Sequence, residues 1–232
     1  MSEITITPLA PLTQKSATDM VFDTLYEAVI SLQLPPGTRV SEAEIAQQLD
    51  VSRQPVRDAF FRLSKLGFLL IRPQRATLIS KISPKAVLNA AFIRTAIECE
   101  CLREAARQMT PEAAARLRAS LDRQEAALEE SDRAVFHALD DAFHLLISEI
   151  AGHPHAWELI QEQKAHMDRV RFLTLSGKRQ RQVHAEHQGI VDALTRGDTA
   201  SAEAQLRNHL ADIRHVLARV RAEHGDYFEP VD

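Results

Sequence analysis

The residues best suited to bind a transition metal lie in the C-terminal part of the sequence, where all ten histidines occur at or after His137. At helical spacing, Asp140 and His144 share an apolar face. His187 and His209 each lie on the apolar face of a later helix. One carboxylate and three imidazoles suit a divalent transition metal, and imidazole favours zinc, nickel, copper or iron. Three ordinary buried histidines would give the same pattern, so the spacing alone leaves both interpretations open.

His184 lies one helical turn before His187, which makes it a candidate substitute ligand or a residue that supports the ligands. Cys99 and Cys101 are two residues apart and therefore lie on different helix faces, so we expect thiols that bind no metal. The remaining histidines are expected to be exposed or in loops: His137, His153, His155, His166, His215 and His224.

A second kind of chemistry is concentrated between residues 51 and 81. This segment has seven lysines and arginines against a single acidic residue, Asp58, which gives it a charge of +6. Residues 15–50 carry −4, and the whole chain also carries −4, so the net charge conceals a basic block. Such a block is typical of an element that contacts phosphate, although a solvated charged face is the alternative.

The elements around the basic block are those of a winged helix. A capping box at 41–44 begins one helix, Asp50 occupies the turn after it, and a second helix runs from Ser52 to Gly67. Two short strands over 68–72 and 77–80 then flank a turn at 73–76. In this arrangement the second helix of the pair enters the major groove of DNA.

Arginine can bond guanine and glutamine can bond adenine in that groove. A basic hairpin tip can reach the minor groove or the backbone. The predicted DNA-contacting residues are Ser52, Arg53, Gln54, Arg57, Arg75 and Thr77.

The rest of the chain reads as an antiparallel bundle, so the predicted fold class is mainly α, a winged helix followed by an all-helical domain. About six helices are expected, over 85–108, 111–130, 132–151, 154–175, 178–196 and 198–223. The predicted domains are 15–81 and 86–225, joined by a linker at 82–85.

Composition excludes several other classes of protein. With 232 residues, 5% aromatics and 7 glycines, the chain is neither collagen-like nor typical of a β-rich fold. Two cysteines fit a reducing compartment. We find no apolar run of roughly 18–20 residues and no signal pattern in MSEITITPLA, so a cytoplasmic protein is expected.

The stretch SEAEIAQQLDVSRQPVRDAFFRLSKLGFLLIRPQRATLIS resembles the winged-helix domain of GntR-family transcriptional regulators, whose hallmark is a run like VSRxPVRxAxxxLxxxG. The resemblance implies a double-stranded DNA operator as partner. Three positions depart from the family pattern. Asp50 and Ala76 stand where glycine is usual, and Ala43 replaces a frequent arginine or polar residue.

Three further stretches, IRTAIECECLREAA, LDDAFHLLISEIAG and EHQGIVDALTRGDTASAEAQLRNHL, resemble the FCD ligand-binding domain of the FadR-like subfamily. The resemblance implies a metal held by an Asp-x3-His pair and two later histidines. The matching positions here are Asp140, His144, His187 and His209. It also implies that Arg94 lies near an effector carboxylate, and the predicted effector-binding residues are Arg94 and His184. His153 stands where the subfamily commonly has asparagine.

The sequence therefore predicts a homodimeric, metabolite-responsive repressor with a divalent metal, zinc first and nickel, manganese or iron next. Its small-molecule partner is expected to be a carboxylate metabolite, and no membrane partner is expected. Two alternatives stay open: a metal-dependent enzyme built on a helical bundle, and a regulator whose metal is purely structural.

Overall fold

The computed structural model describes residues 15–71, 76–130 and 132–230. The N-terminal part contains three helices and three short strands. In chain order these are α1 (Ala17–Ile30), β1 (Arg39–Val40), α2 (Glu42–Gln48), α3 (Arg53–Lys65), β2 (Leu69–Leu70) and β3 (Thr77–Ile79).

Local sequence explains how the two helices of the helix–turn–helix begin and end. The Ser41 hydroxyl accepts a hydrogen bond from the Glu44 amide at 3.2 Å and caps α2. Asp50 adopts a positive φ of 50° in the turn, and Gly67 does so at 78° where α3 ends. Ser52 precedes α3 as expected, but its hydroxyl makes no capping hydrogen bond and stays exposed.

The wing is a three-stranded antiparallel sheet in the order β1-β3-β2. Leu69 of β2 pairs with Ile79 of β3, as the predicted hairpin requires. The expected two-stranded wing is incomplete, because Arg39 of β1 also pairs with Leu78. A strand of two residues has no alternation that a sequence pattern can detect. The predicted turn at 73–76 lies mostly outside the described residues, and so does Arg75.

The C-terminal part is an all-helical bundle, as predicted. Its helices are α4 (Pro84–Arg107), α5 (Pro111–Glu130), α6 (Arg133–Ile150), α7 (Pro154–Gln163), α8 (Ala165–Thr174), α9 (Gly177–Thr195) and α10 (Thr199–Glu223). A short 3₁₀ turn, Gly225–Tyr227, follows α10. Among these helices, none combines the length and apolar character that crossing a membrane requires.

The single helix predicted over 154–175 is wrong, because α7 and α8 meet at Lys164. The stretch from 155 to 175 has neither glycine nor proline, so no local signal marked the break. Lys164 is fully buried, and its ammonium lies 2.6 Å from both Asp141 and Asp168. The break thus coincides with a tertiary ion-pair contact, which periodicity cannot reveal.

Helix α8 is built into both halves of the molecule. Its Ala165 is buried in the apolar core of the N-terminal part, and its Phe172 packs against that core. Its Met167 and Val170 belong to a core formed with α4 and α10. The C-terminal segment also reaches the junction, where Phe228 forms a parallel bridge to Ile82.

Candidate functional site

Four buried side chains from three helices meet inside the bundle. Asp140 and His144 come from α6, His187 from α9 and His209 from α10. One nitrogen or oxygen of each lies within 4.8 Å of those of the others. The structure thus brings together the four residues that the sequence singled out as metal ligands.

Each of the three histidines has its Nδ1 atom close to an oxygen on a neighbouring helix, within a hydrogen bond for His187 and His209 and in an ion-pair contact for His144. The distances are 2.6 Å from His144 to Glu98 Oε2, 2.8 Å from His187 to Gln124 Oε1 and 2.7 Å from His209 to Glu186 Oε2. Such partners favour the proton on Nδ1 and leave the Nε2 lone pair free to bind a metal. Sequence reasoning missed all three partners, since a carboxylate or amide on a helix reads as an exposed residue by default.

Three atoms at the centre of the cluster are buried and lack hydrogen-bond partners among the described residues: Nε2 of His144, Nε2 of His187 and Oδ1 of Asp140. His187 Nε2 lies 3.8 Å from Asp140 Oδ1, and His144 Nε2 lies 3.9 Å from Asp140 Oδ2. These separations exceed a hydrogen bond but stay below about 4.2 Å, the span of two roughly 2.1 Å metal–ligand bonds. The donor set and its unpaired atoms therefore fit a divalent cation.

The protonation states favour the same chemistry. Burial lowers the pKa of His187 well below its usual value, and burial also lowers that of His209. Burial raises the pKa of Asp140, but the charge of Arg171 and the nearby histidines overcome this and hold it well below its usual range. A neutral imidazole and an ionised carboxylate are the forms that bind a metal, so no proton has to leave His187, His209 or Asp140 at neutral pH.

A chain of buried charges adjoins the cluster and has no counterpart in the sequence analysis. The Arg171 guanidinium contacts Asp140 Oδ2 and lies 3.4 Å from Asp141 and 3.7 Å from Asp168. His137 Nε2 lies 3.6 Å from Asp168 Oδ1. His137 is half-buried, so the expectation that it is exposed is wrong. The carboxylates around it are already paired with the Lys164 ammonium.

Beside the four residues lies a small cavity of about 50 Å³. Its wall includes Arg94, Arg171, His209 and apolar residues such as Met167 and Ile213. At roughly 10–15 Å³ per water, this volume holds a few water molecules or a small organic anion.

Arg94, predicted to contact an effector, is 3% exposed. Its Nε lies 2.5 Å from Glu98 Oε1, while its Nη2 is buried and has no hydrogen-bond partner in the described part of the chain. His184 is buried as well, with an unpaired Nε2, but it belongs neither to the four-residue cluster nor to the cavity wall.

The residues predicted to contact DNA lie at the start of α3. Arg53, Gln54 and Arg57 are exposed there, next to Ser52. Arg57 Nη2 lies 3.1 Å from Glu42 Oε2 of α2, so one helix orients the side chain of the other. Gln54 donates to Asp58 at 2.9 Å, and Thr77 is half-buried in β3.

Two family matches divide the chain as the structure does. Residues 17–79 match "Bacterial regulatory proteins, gntR family", and residues 90–212 match the FCD domain. The HTH-type transcriptional repressor RspR of Escherichia coli is 35% identical over 97% of both chains. An uncharacterized HTH-type regulator of Streptomyces ambofaciens is 33% identical over 88% of this chain and 86% of its own.

The fold also matches solved structures. Escherichia coli McbR/YncC superposes with a TM-score of 0.75 and 22% identity, covering 89% of this chain and all of its own. A putative GntR regulator from Rhodococcus gives a TM-score of 0.73 at 23% identity, over 88% of this chain and 99% of its own. With a DNA-binding element in front and an FCD bundle behind, the chain belongs to the GntR family of transcriptional regulators and is not an enzyme.

Proposed function

We propose that this regulator is a repressor whose FCD domain binds a divalent transition metal and a small organic acid, and that the acid changes its affinity for an operator. The metal is proposed to be zinc, with nickel, manganese or iron as the next candidates. One observation carries the proposal. Three imidazoles and a carboxylate meet at one buried point, where Nε2 of His144, Nε2 of His187 and Oδ1 of Asp140 lack hydrogen-bond partners among the described residues.

Leaving such atoms unpaired in a dry interior costs free energy, and a cation at their centre would recover it. His144, His187 and His209 would bind through Nε2, and Asp140 through a carboxylate oxygen. The partners on each Nδ1 keep the rings in place when the ion is absent. When bound, the metal would supply a Lewis-acid position for a carboxylate oxygen.

Arg94 supports the choice of an organic acid as effector. Arg94 lines the cavity, and no described residue pairs with its Nη2, although Glu98 already neutralises the charge. A carboxylate in the cavity would accept from Nη2 and remain near the four-residue cluster. The cavity volume favours an acid of a few carbon atoms over a larger ligand.

An exposed apolar face supports the proposal that the protein is a homodimer. Phe92 on α4 is 66% exposed and Leu159 on α7 is 57% exposed. Ala96, one turn after Phe92, lines a groove together with Leu159. Large exposed apolar side chains in or beside a groove favour an interface with another chain. A two-fold dimer would present two α3 helices to the half-sites of a palindromic operator.

The test combines a metal titration with a screen for the effector. Trp157 is the single tryptophan of the chain, and its ring centroid lies 6.0 Å from that of His144. Its fluorescence should therefore change at one equivalent of Zn²⁺ in chelator-treated protein. The His187→Ala, His209→Ala double variant should lose this response, whereas His215→Ala, at an exposed position, should keep it.

A thermal-shift screen of small organic acids then tests the effector. An acid that raises the melting temperature with metal, but neither with chelator nor with Arg94→Gln, would support the full proposal. Stoichiometric zinc without any stabilising acid would favour a purely structural metal. Absence of zinc uptake by the wild-type protein would refute the metal site.

A further inference from the structure

Helix α8 connects the candidate metal site to the DNA-binding part through two different faces. Asp168 and Arg171 face the charges of α6, and Lys164 immediately before the helix does the same. Ala165 and Phe172 instead pack with the winged-helix core. A helix of ten residues with both faces occupied can transmit a displacement of one side to the other.

On the site face, Arg171 binds the carboxylate that is proposed as the metal ligand. It contacts Oδ2 of Asp140, whereas Oδ1, 3.8 Å from His187 Nε2, has no hydrogen-bond partner within residues 15–71, 76–130 and 132–230. Arg171 also lines the cavity proposed for the effector. Any anion that enters the cavity therefore competes with Asp140 for this guanidinium.

On the other face, α8 holds the end of the wing and the junction between the domains. Arg169 is fully buried and donates to the Ser80 carbonyl at 2.6 Å. Its guanidinium lies 5.3 Å from the Phe68 ring centroid. His166 Nδ1 accepts from the Ser83 amide at 3.1 Å, although the sequence analysis expected His166 to be exposed.

A buried cation without a carboxylate partner is costly unless its hydrogen bonds are kept. Within the described residues, no carboxylate lies within ion-pair distance of Arg169, and its guanidinium relies on Ser80 and His166 instead. The wing should therefore move together with α8, because a separation of Ser80 from α8 would leave the Arg169 guanidinium without these hydrogen bonds in the interior.

We infer that Arg171 is the positioning residue that couples the site to the winged helix. Its guanidinium binds Asp140 of α6 and its backbone is part of α8, so this contact sets the position of α8. The part of this inference that concerns ligands rests on the proposed function. The mechanical part does not, since the contacts of Arg171 and Arg169 exist without any ligand. A ligand that binds at the site changes the contact between Arg171 and Asp140, and α8 transmits the resulting displacement to Ser80 through Arg169.

Hydrogen exchange followed by mass spectrometry tests this without knowledge of the operator. In metal-free protein, Arg171→Gln should raise exchange in α8 and in α1, which packs against it, by roughly tenfold. Arg103→Gln is the matched control, because Arg103 also joins two helices of the bundle, at 2.8 Å from Glu203, but lies outside the network of α8. It should leave exchange in α8 and α1 unchanged.

Arg171→Lys keeps a positive charge and should give exchange rates between those of wild type and Arg171→Gln. In addition, Arg171→Gln should weaken Zn²⁺ binding about ten- to a hundredfold. The inference is overturned if α8 and α1 exchange at the wild-type rate in Arg171→Gln, or if Arg103→Gln loosens them equally. If wild-type protein binds no Zn²⁺, the proposed function fails, while the metal-free comparison still decides the role of Arg171.

Discussion

Replacing Glu98 by glutamine should destabilise the FCD domain more than any surface substitution of the same kind. Glu98 is 2% exposed and serves two partners, at 2.5 Å from Arg94 Nε and 2.6 Å from His144 Nδ1. The amide keeps the shape of the side chain but removes its charge. Arg94 would then remain as a buried cation without a counter-ion.

The magnitude follows from the electrostatics of the site. Burial raises the pKa of Glu98, but the charge of Arg94 and the close contact with His144 outweigh it and hold the pKa at about 2 instead of 4.5. At 1.36 kcal/mol for each pKa unit, this difference contributes about 3 kcal/mol at neutral pH. Because the folded pKa is lowered, the contribution is complete above about pH 4.5 and disappears as the pH falls toward 2. Breaking a buried ion pair costs about 3–5 kcal/mol, a range that includes the value obtained from the pKa of Glu98.

Urea unfolding of chelator-treated protein, followed by Trp157 fluorescence, measures this free energy. Trp157 is 2% exposed and stacks on His144, so its signal reports the domain that contains Glu98 even if the two domains unfold separately. Glu100→Gln removes a carboxylate that is 58% exposed, two residues away, and should cost less than about 1 kcal/mol. A loss below about 1 kcal/mol in Glu98→Gln would refute the view that this carboxylate holds Arg94 and His144.

Three further predictions address the other surfaces. Arg57→Ala should weaken binding to DNA from a regulated promoter by about 1–3 kcal/mol. Arg62→Ala should have little effect, because Arg62 faces Asp19 on α1. Measuring the DNA affinity of both variants at several salt concentrations compares them. Phe92→Glu should convert a dimer into a monomer in analytical ultracentrifugation, and Phe61→Glu, equally exposed on α3, should not. Burial and the charge of Arg169 hold the pKa of His166 at about 4, so the unfolded chain binds this proton below about pH 6.5. His166 should therefore contribute about 2 kcal/mol to the loss of metal-free stability between pH 7 and pH 5, beyond the loss that the lowered pKa values of His187 and His209 cause. His166→Gln should shrink that difference in urea unfolding.

Helix caps and turn residues predicted the winged helix, and periodicity predicted the bundle because its apolar faces repeat over many residues. It also placed Asp140, His144, His187 and His209 on inward faces, which the structure joins at one point. Each of these residues is polar in an otherwise apolar stripe, and such an exception is visible without coordinates.

Side chains that form contacts between different helices cannot be recognised from the sequence in this way. Glu98 lies on α4, and Arg171 and Lys164 lie near α6 only in the folded chain. Along the sequence each is one of many charged residues with a nearby opposite charge, and its partner on another helix is tens of residues away. Burial converts them from ordinary surface charges into structural ones, and burial of a long charged side chain depends on a partner that a single sequence does not identify.

The formal charge of the site bears on the order in which ligands bind. The charged groups that contact the four residues or their ion pairs, or that line the cavity, are four cations and six carboxylates: Arg94, Lys164, Arg171 and Arg179 against Glu98, Asp140, Asp141, Asp168, Glu186 and Asp212. With a net charge of −2, an organic anion entering first would add like charge to a buried site, which is costly. A divalent cation would neutralise this charge and offer the carboxylate a direct partner. The acid should therefore bind only after the metal, and equal affinity for an effector with and without chelator in calorimetry would contradict this order.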